Sequence, residues 1–164
     1  MNLIKILEYA LQREYEGRDF FRNNAKRFGH AAVVGVFEEL AKEEEKHIAF
    51  IQRLIDSAQG GSLSAEAVGQ NMEKEGFFSE RAKDELLDQT IIESMVPDLA
   101  VLRTAYLIER DFAEFYEMSA GRVQDPSAKE ALEMLASWER THEQLFKKLH
   151  DQAFEQYAQM PWGG

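Results

Sequence analysis

Glu-x-x-His occurs twice in this chain, at Glu44 with His47 and at Glu139 with His142, and each copy follows by thirty residues a Glu set in an apolar stripe, Glu14 and Glu109. On a helix a spacing of three puts both side chains on one face, a turn apart, so each pair can share one ion. Given the Glu and His content of the chain, chance alone supplies about half an instance of the motif, and a single copy carries little weight. Two copies at the same distance from an equivalent Glu are a far stronger signal.

The motifs belong to an internal repeat. An offset of 95 aligns Glu14 with Glu109, Phe20 with Phe115, Phe21 with Tyr116, Ala25 with Ala120, Leu40 with Leu135, Ala41 with Ala136, Glu44 with Glu139 and His47 with His142, without a gap, and reaches Leu54 on Leu149. Over positions 14 to 47, nine of thirty-four pairs are identical, and seven of them fall on the apolar stripe and the candidate ligands. Self-similarity of this kind predicts two equivalent helix hairpins related by a pseudo-twofold axis.

Apolar spacings of three and four predict the helices. Ile4, Leu7, Leu11, Phe21 and Ala25 mark the first, with Gly29 as its stop; Val33, Phe37, Leu40, Ile51, Leu54 and Ile55 mark the second, which closes near Gly60 and Gly61. Residues 60–70, GGSLSAEAVGQ, read as a flexible stretch, and Phe77 to Met95 carries a weaker helical pattern. Pro97 suits a first helical turn, after which Leu99, Leu102, Tyr106, Phe112 and Tyr116 mark the third long helix; Asp125 and Pro126 open the fourth. The expectation is one all-α domain over residues 1–164: a hairpin at 1–58, a crossover at 59–97 long enough to run the length of a bundle, and a hairpin at 98–158.

Charge narrows the partners. Nineteen Lys and Arg stand against thirty Asp and Glu, a net charge of -11, so neither nucleic acid nor an anionic membrane surface is expected as a partner and cations are the natural ligands. No cysteine is present, which excludes disulfides, thiolate metal sites and iron–sulfur clusters and fits a reducing compartment; the cytoplasm is the expected location. The first twelve residues lack the apolar run of a signal peptide or a membrane span.

Carboxylates set in apolar stripes are costly to desolvate and need a partner. Arg18 is a rival partner for Glu14, but no Lys or Arg recurs on the stripes with the symmetry of the repeat. Two divalent ions carry four positive charges, four carboxylates cancel them, and two neutral imidazoles complete a neutral first shell, which suits iron, manganese or zinc over a soft metal. Glu14, Glu44, His47, Glu109, Glu139 and His142 are therefore the expected ligands, with Glu44 and Glu139 as bridges. Tyr116 and Phe21 each follow a ligand Glu by seven and are expected in the same core layer, where Tyr116 can also hydrogen-bond a ligand carboxylate. Glu43 is a candidate to orient His142, although its counterpart in the repeat is Trp138. Tyr106, in place of Leu11, is a remote candidate for a residue reaching the site. His30 and His150 read as surface residues.

At these residues the chain resembles the rubrerythrin family of the ferritin-like superfamily, in particular stand-alone members without a rubredoxin domain. EYEGRDFFRNNA with FEELAKEEEKH looks like the family's first helix pair, and ERDFAEFYEMSA with LEMLASWERTH like its second. The resemblance implies a ferritin-like four-helix bundle and a non-haem two-iron centre, manganese or a mixed pair being the alternative. Two Glu and two Glu-x-x-His motifs projecting from four helices are the ligand set of such proteins. It further implies reduction of hydrogen peroxide or dioxygen, an external electron-donor protein such as a rubredoxin, and a homodimer. Rubrerythrins proper carry a further Glu one turn after the third-helix ligand, where this chain has Phe112. That departure brings the ligand set closer to bacterioferritin-like and ribonucleotide-reductase-like sites. A ferroxidase for iron storage or handling is the alternative function, and a structural protein whose metal only staples the bundle is a third.

Overall fold

Short polar side chains start the helices. In the computed structural model, which describes residues 2–61, 63 and 86–161, the Asn2 side chain accepts a hydrogen bond from the Ile4 amide and caps α1, Leu3–Ala25. His30 caps α2, Ala31–Gln59, by accepting from the Ala32 amide. Asp88 caps the short α3, Gln89–Met95, which runs through a 3-10 turn at Val96–Asp98 into α4, Leu99–Ala120. Asp125 accepts from the Ala128 amide, with Pro126 in the first turn, and opens α5, Pro126–Gln159. Each cap satisfies an amide that the helix itself leaves unpaired. Gly61, just past α2, takes a positive φ of 113°, a conformation in which a side chain would be strained.

The long helices pair as expected, α1 with α2 and α4 with α5, and α1 also meets α4. The result is an all-α four-helix bundle, with no strand among the described residues. The crossover is seen at its end: Ile91, Ile92, Met95 and Val96 pack into the core beside α5. The flexible stretch and the start of the weaker helical pattern fall mainly on residues outside those described. Among the described residues no helix is long and apolar enough to cross a membrane.

The core is two apolar clusters with a polar layer between them. One holds Phe21, Phe37, Leu40, Leu102, Phe146 and Leu149; the other holds Leu7, Phe50, Leu54, Phe112, Tyr116, Leu132 and Leu135. On every long helix the chain passes from one cluster to the other across the candidate ligands: Leu7 and Phe21 flank Glu14, Leu40 and Phe50 flank Glu44 and His47, and α4 and α5 do the same. The offset of the repeat exchanges the clusters, carrying Phe21 and Leu40 onto Tyr116 and Leu135, and Leu7 and Leu54 onto Leu102 and Leu149. A pseudo-twofold axis that swaps the bundle ends must pass through the polar layer.

The two halves interlock at one point. Gly17 and Phe112 are counterparts in the repeat, and a Cβ placed on Gly17 would lie 3.0 Å from Phe112 Cε2 and 3.8 Å from Glu44 Cδ. The phenyl ring occupies the space that glycine leaves. In a helix interior Ala is worth about 1 kcal/mol over Gly, but forcing extra atoms into a packed core costs about 1–3 kcal/mol. Gly17→Ala is therefore expected to lower the unfolding midpoint, whereas adding it to Phe112→Ala raises the midpoint of that variant. An equal shift in both backgrounds, measured by thermal unfolding, would contradict this packing.

Candidate metal centre

Four carboxylates and two imidazoles meet in the polar layer, all of them buried: Glu14, Glu44, Glu109 and Glu139 at 0% exposure, His47 at 1% and His142 at 3%. Helical spacing places them there. Glu44 and His47, like Glu139 and His142, project from successive turns of one face, and Glu14 and Glu109 face them from α1 and α4.

His47 Nδ1 lies 3.3 Å from Oε2 of Glu14, 3.5 Å from Oε2 of Glu44 and 3.0 Å from Oε1 of Glu139. His142 Nδ1 lies 3.6 Å from Oε2 of Glu109 and 3.6 Å from Oε2 of Glu139. Glu139 thus turns one oxygen to each imidazole. The donors form two groups that can each hold an ion, Glu14, Glu44, His47, Glu139 and Glu44, Glu109, Glu139, His142, with the donor atoms of each within 4.8 Å of one another. Glu44 and Glu139 belong to both. An ion about 2.1 Å from each donor sets neighbouring donors about 3.0 Å apart at right angles and about 3.4 Å apart at tetrahedral angles. The observed separations fall close to those values.

The carboxylates are short of partners. Both oxygens of Glu44, Glu109 and Glu139 lack a hydrogen bond among the described residues, the close approach of His47 to Glu139 not having hydrogen-bond geometry. A buried polar group without a partner is destabilising by about 1–3 kcal/mol, and more if charged. The donor set and its unmet acceptors fit two hard or borderline divalent cations.

Burial pushes the Glu44 carboxyl well up, and the neighbouring charges of Glu139 and Glu14 push it further. Burial likewise pushes up Glu109, with Glu139 and Glu44 adding to the effect. Burial alone would raise Glu139 as well, but the charge on His47 and the close approach of both imidazoles outweigh it and hold Glu139 well below the usual carboxylate range. His47 is the converse: burial lowers it, and the carboxylates of Glu139 and Glu14 more than reverse this. Without metal, the layer keeps a His47–Glu139 ion pair and protons on Glu44 and Glu109.

Tyr116 is buried and donates its hydroxyl hydrogen bond to Glu14 Oε1, across the bundle from its own helix. Burial, then the charges of Glu14 and Glu139, push its phenol well up, so it stays a donor. Its counterpart Phe21 stacks on Phe146, ring centroids 5.6 Å apart, and gives Glu109 no such bond. Arg18 does not reach Glu14; it pairs with Asp19 at 2.8 Å and lies over the Tyr15 ring. Glu43 pairs with Lys46 at 2.7 Å, not with His142. Tyr106 packs against His150, ring centroids 5.4 Å apart, and the Arg110 guanidinium lies over the Tyr106 ring, 5.6 Å from its centroid.

Two features escape a reading of the sequence alone. Trp138 stacks on His47, ring centroids 5.3 Å apart and planes at 15°. Glu143, buried beside His142, bridges Arg110 at 2.8 Å and Arg140 at 2.6 Å, bracing α5 against α4. The three-residue spacing of Arg140 and Glu143 was the available signal for the second; no spacing announces the first.

Stability follows from these shifts. Glu44 and Glu109, raised in the fold, stabilise the metal-free protein fully below the unfolded value of 4.5 and lose that contribution as pH rises through their folded values; His47, raised above 6.5, acts in the same direction. Glu139, lowered, contributes above 4.5 and stays constant over the neutral range. The chelator-treated protein is thus expected to melt lower at about pH 8 than at about pH 6, and bound metal, which displaces those protons, to raise the midpoint most at the higher pH. Thermal unfolding with and without chelator tests this, and an unchanged curve after chelation would count against a core site.

The Rubrerythrin family matches residues 5–150, a span that includes all six candidate ligands. No curated protein matches the chain. Among solved structures, the hypothetical protein Pfu-1136390-001 from Pyrococcus furiosus is similar, with a TM-score of 0.66 and 23% identity over 95% of this chain and 92% of that one. At that identity the likeness concerns the fold, a four-helix bundle of ferritin-like type. With nearly its whole length matched and its buried Glu and His set in the polar layer of that bundle, the chain belongs to the Rubrerythrin family.

Proposed function

We propose that this protein binds two iron ions and reduces hydrogen peroxide, or dioxygen, at them. The observation that carries the reading is the pair of buried donor groups sharing Glu44 and Glu139, with carboxylate oxygens that nothing else among the described residues satisfies. Glu14 and His47 would hold one ion, Glu109 and His142 the other, and Glu44 and Glu139 both. Two ferrous ions supply the two electrons that convert peroxide to water; the protein supplies binding, orientation and electrostatics.

The chain's own residues perform those tasks. The Tyr116 hydroxyl fixes the orientation of Glu14. The apolar clusters on either side keep bulk water from the layer, which strengthens each charge interaction inside it. With no cysteine in the chain, no rubredoxin-type iron site is available, so electrons for repeated turnover come from a separate donor protein. The same composition suits the reducing cytoplasm. A homodimer completes the proposal.

Phe112 favours a second reading. Its ring stands against Gly17, close to Glu44, where rubrerythrins carry a further Glu, and an apolar residue there suits a ferroxidase that passes iron on. A store of that kind needs a closed shell of many subunits, so a solution mass equal to a monomer or dimer removes it.

Ferrous-loaded protein mixed with hydrogen peroxide under anaerobic conditions is expected to oxidise rapidly, faster than with dioxygen, and Glu14→Ala with Glu109→Ala to abolish the reaction. The check is stopped-flow absorption together with elemental analysis of the loaded protein. Loaded protein inert to both oxidants would leave a metal that only staples the bundle.

A further inference from the structure

Trp138 touches both a candidate ligand and the surface. Its indole stacks on the His47 imidazole at 5.3 Å, meets the edge of Phe50 at 5.9 Å and 70°, and is only half-buried. Metal-bound histidine is normally steadied by a hydrogen bond from its second ring nitrogen to a carboxylate or carbonyl. Here the repeat places an indole where its other copy has Glu43, so an oxidisable ring stands in place of a charge. Indole gives up an electron more readily than a benzene ring or a neutral imidazole. Tyr116, whose hydroxyl is hydrogen-bonded to Glu14, is buried beyond the reach of water.

We propose that Trp138 is the outlet for excess oxidising power at the centre. When the iron-loaded protein meets peroxide with no donor protein at hand, the indole is oxidised in place of the ligands. This rests on the peroxide reading above. Peroxide takes up two electrons and two protons and its O–O bond breaks to give two waters. A first peroxide is spent on the two ferrous ions; toward a second, with no donor protein to restore them, the indole supplies both electrons, one at a time, through the stacked imidazole. It loses a ring C–H proton, takes oxygen from a solvent water that loses the second proton, and forms a C–O bond. In sum, one indole and one peroxide become one hydroxyindole and one water.

The test treats ferrous-loaded protein with hydrogen peroxide in excess over the iron pairs, with no other reductant, and weighs its peptides by mass spectrometry. The expected result is a gain of one oxygen mass at Trp138, severalfold above that at Trp162, the other tryptophan of the sequence. Loading with zinc, which has no redox chemistry, abolishes the gain. The exposed Met118 and Met160 report direct attack by peroxide and gain oxygen equally under both metals. In Trp138→Phe the gain moves to His47. Peroxide consumed beyond the first equivalent per iron pair with Trp138 intact, or equal oxidation of Trp138 under zinc, overturns the inference and leaves the metal reading standing. Peroxide left unconsumed by the iron-loaded protein overturns both.

Discussion

Four carboxylates drawn out of water into one layer of a helix bundle set the terms for the rest of this structure. Glu14, Glu44, Glu109 and Glu139 are each fully buried, and a buried charge is tolerated only when it is neutralised. Without cations the layer neutralises itself in part, by proton uptake on Glu44 and Glu109 and by an ion pair between His47 and Glu139. Two divalent cations would make it neutral and would give the unpaired carboxylates partners. The long helices serve this layer: each must extend far enough on both sides to carry an apolar cluster, because a single cluster would leave one side of the carboxylates open to water.

The pseudo-twofold axis makes the two halves of the centre alike, and the departures from it make them different in a consistent direction. Tyr116 gives a hydrogen bond to Glu14 where Phe21 gives none to Glu109. Trp138 stacks on His47 where its counterpart Glu43 turns to Lys46. Both additions fall on the group of Glu14, Glu44, His47 and Glu139. One half of the layer therefore carries a phenol and an indole in direct contact with its donors.

Most of the fold and the six clustered donors were legible because helical period and constant offset are properties of the chain itself. The cap at Asp125, the turn at Gly61 and the spacing of the Glu-x-x-His pairs are local, and local chemistry decides them. What was not legible is the direction a side chain takes once its helix is packed. Arg18 turns to Asp19, Tyr106 to His150 and Glu43 to Lys46, all choices made by neighbours that spacing does not reveal. The repeat was also under-read by identity. Arg22 bonds Glu45 at 2.5 Å, and at the counterpart positions Glu117 bonds Arg140 at 2.8 Å with the charges exchanged. Both positions count as mismatches, yet the bridge between paired helices survives at each.

Sharing makes the two donor groups one system. Oε1 of Glu139 stands 3.0 Å from His47 and Oε2 stands 3.6 Å from His142, so any change in the charge or position of one imidazole is felt through the same carboxylate by the other. The indole and phenol that distinguish the His47 half therefore act on the whole centre. A symmetric scaffold supplies the geometry, two shared carboxylates couple its halves, and a few unmatched aromatic side chains give the coupled centre its direction.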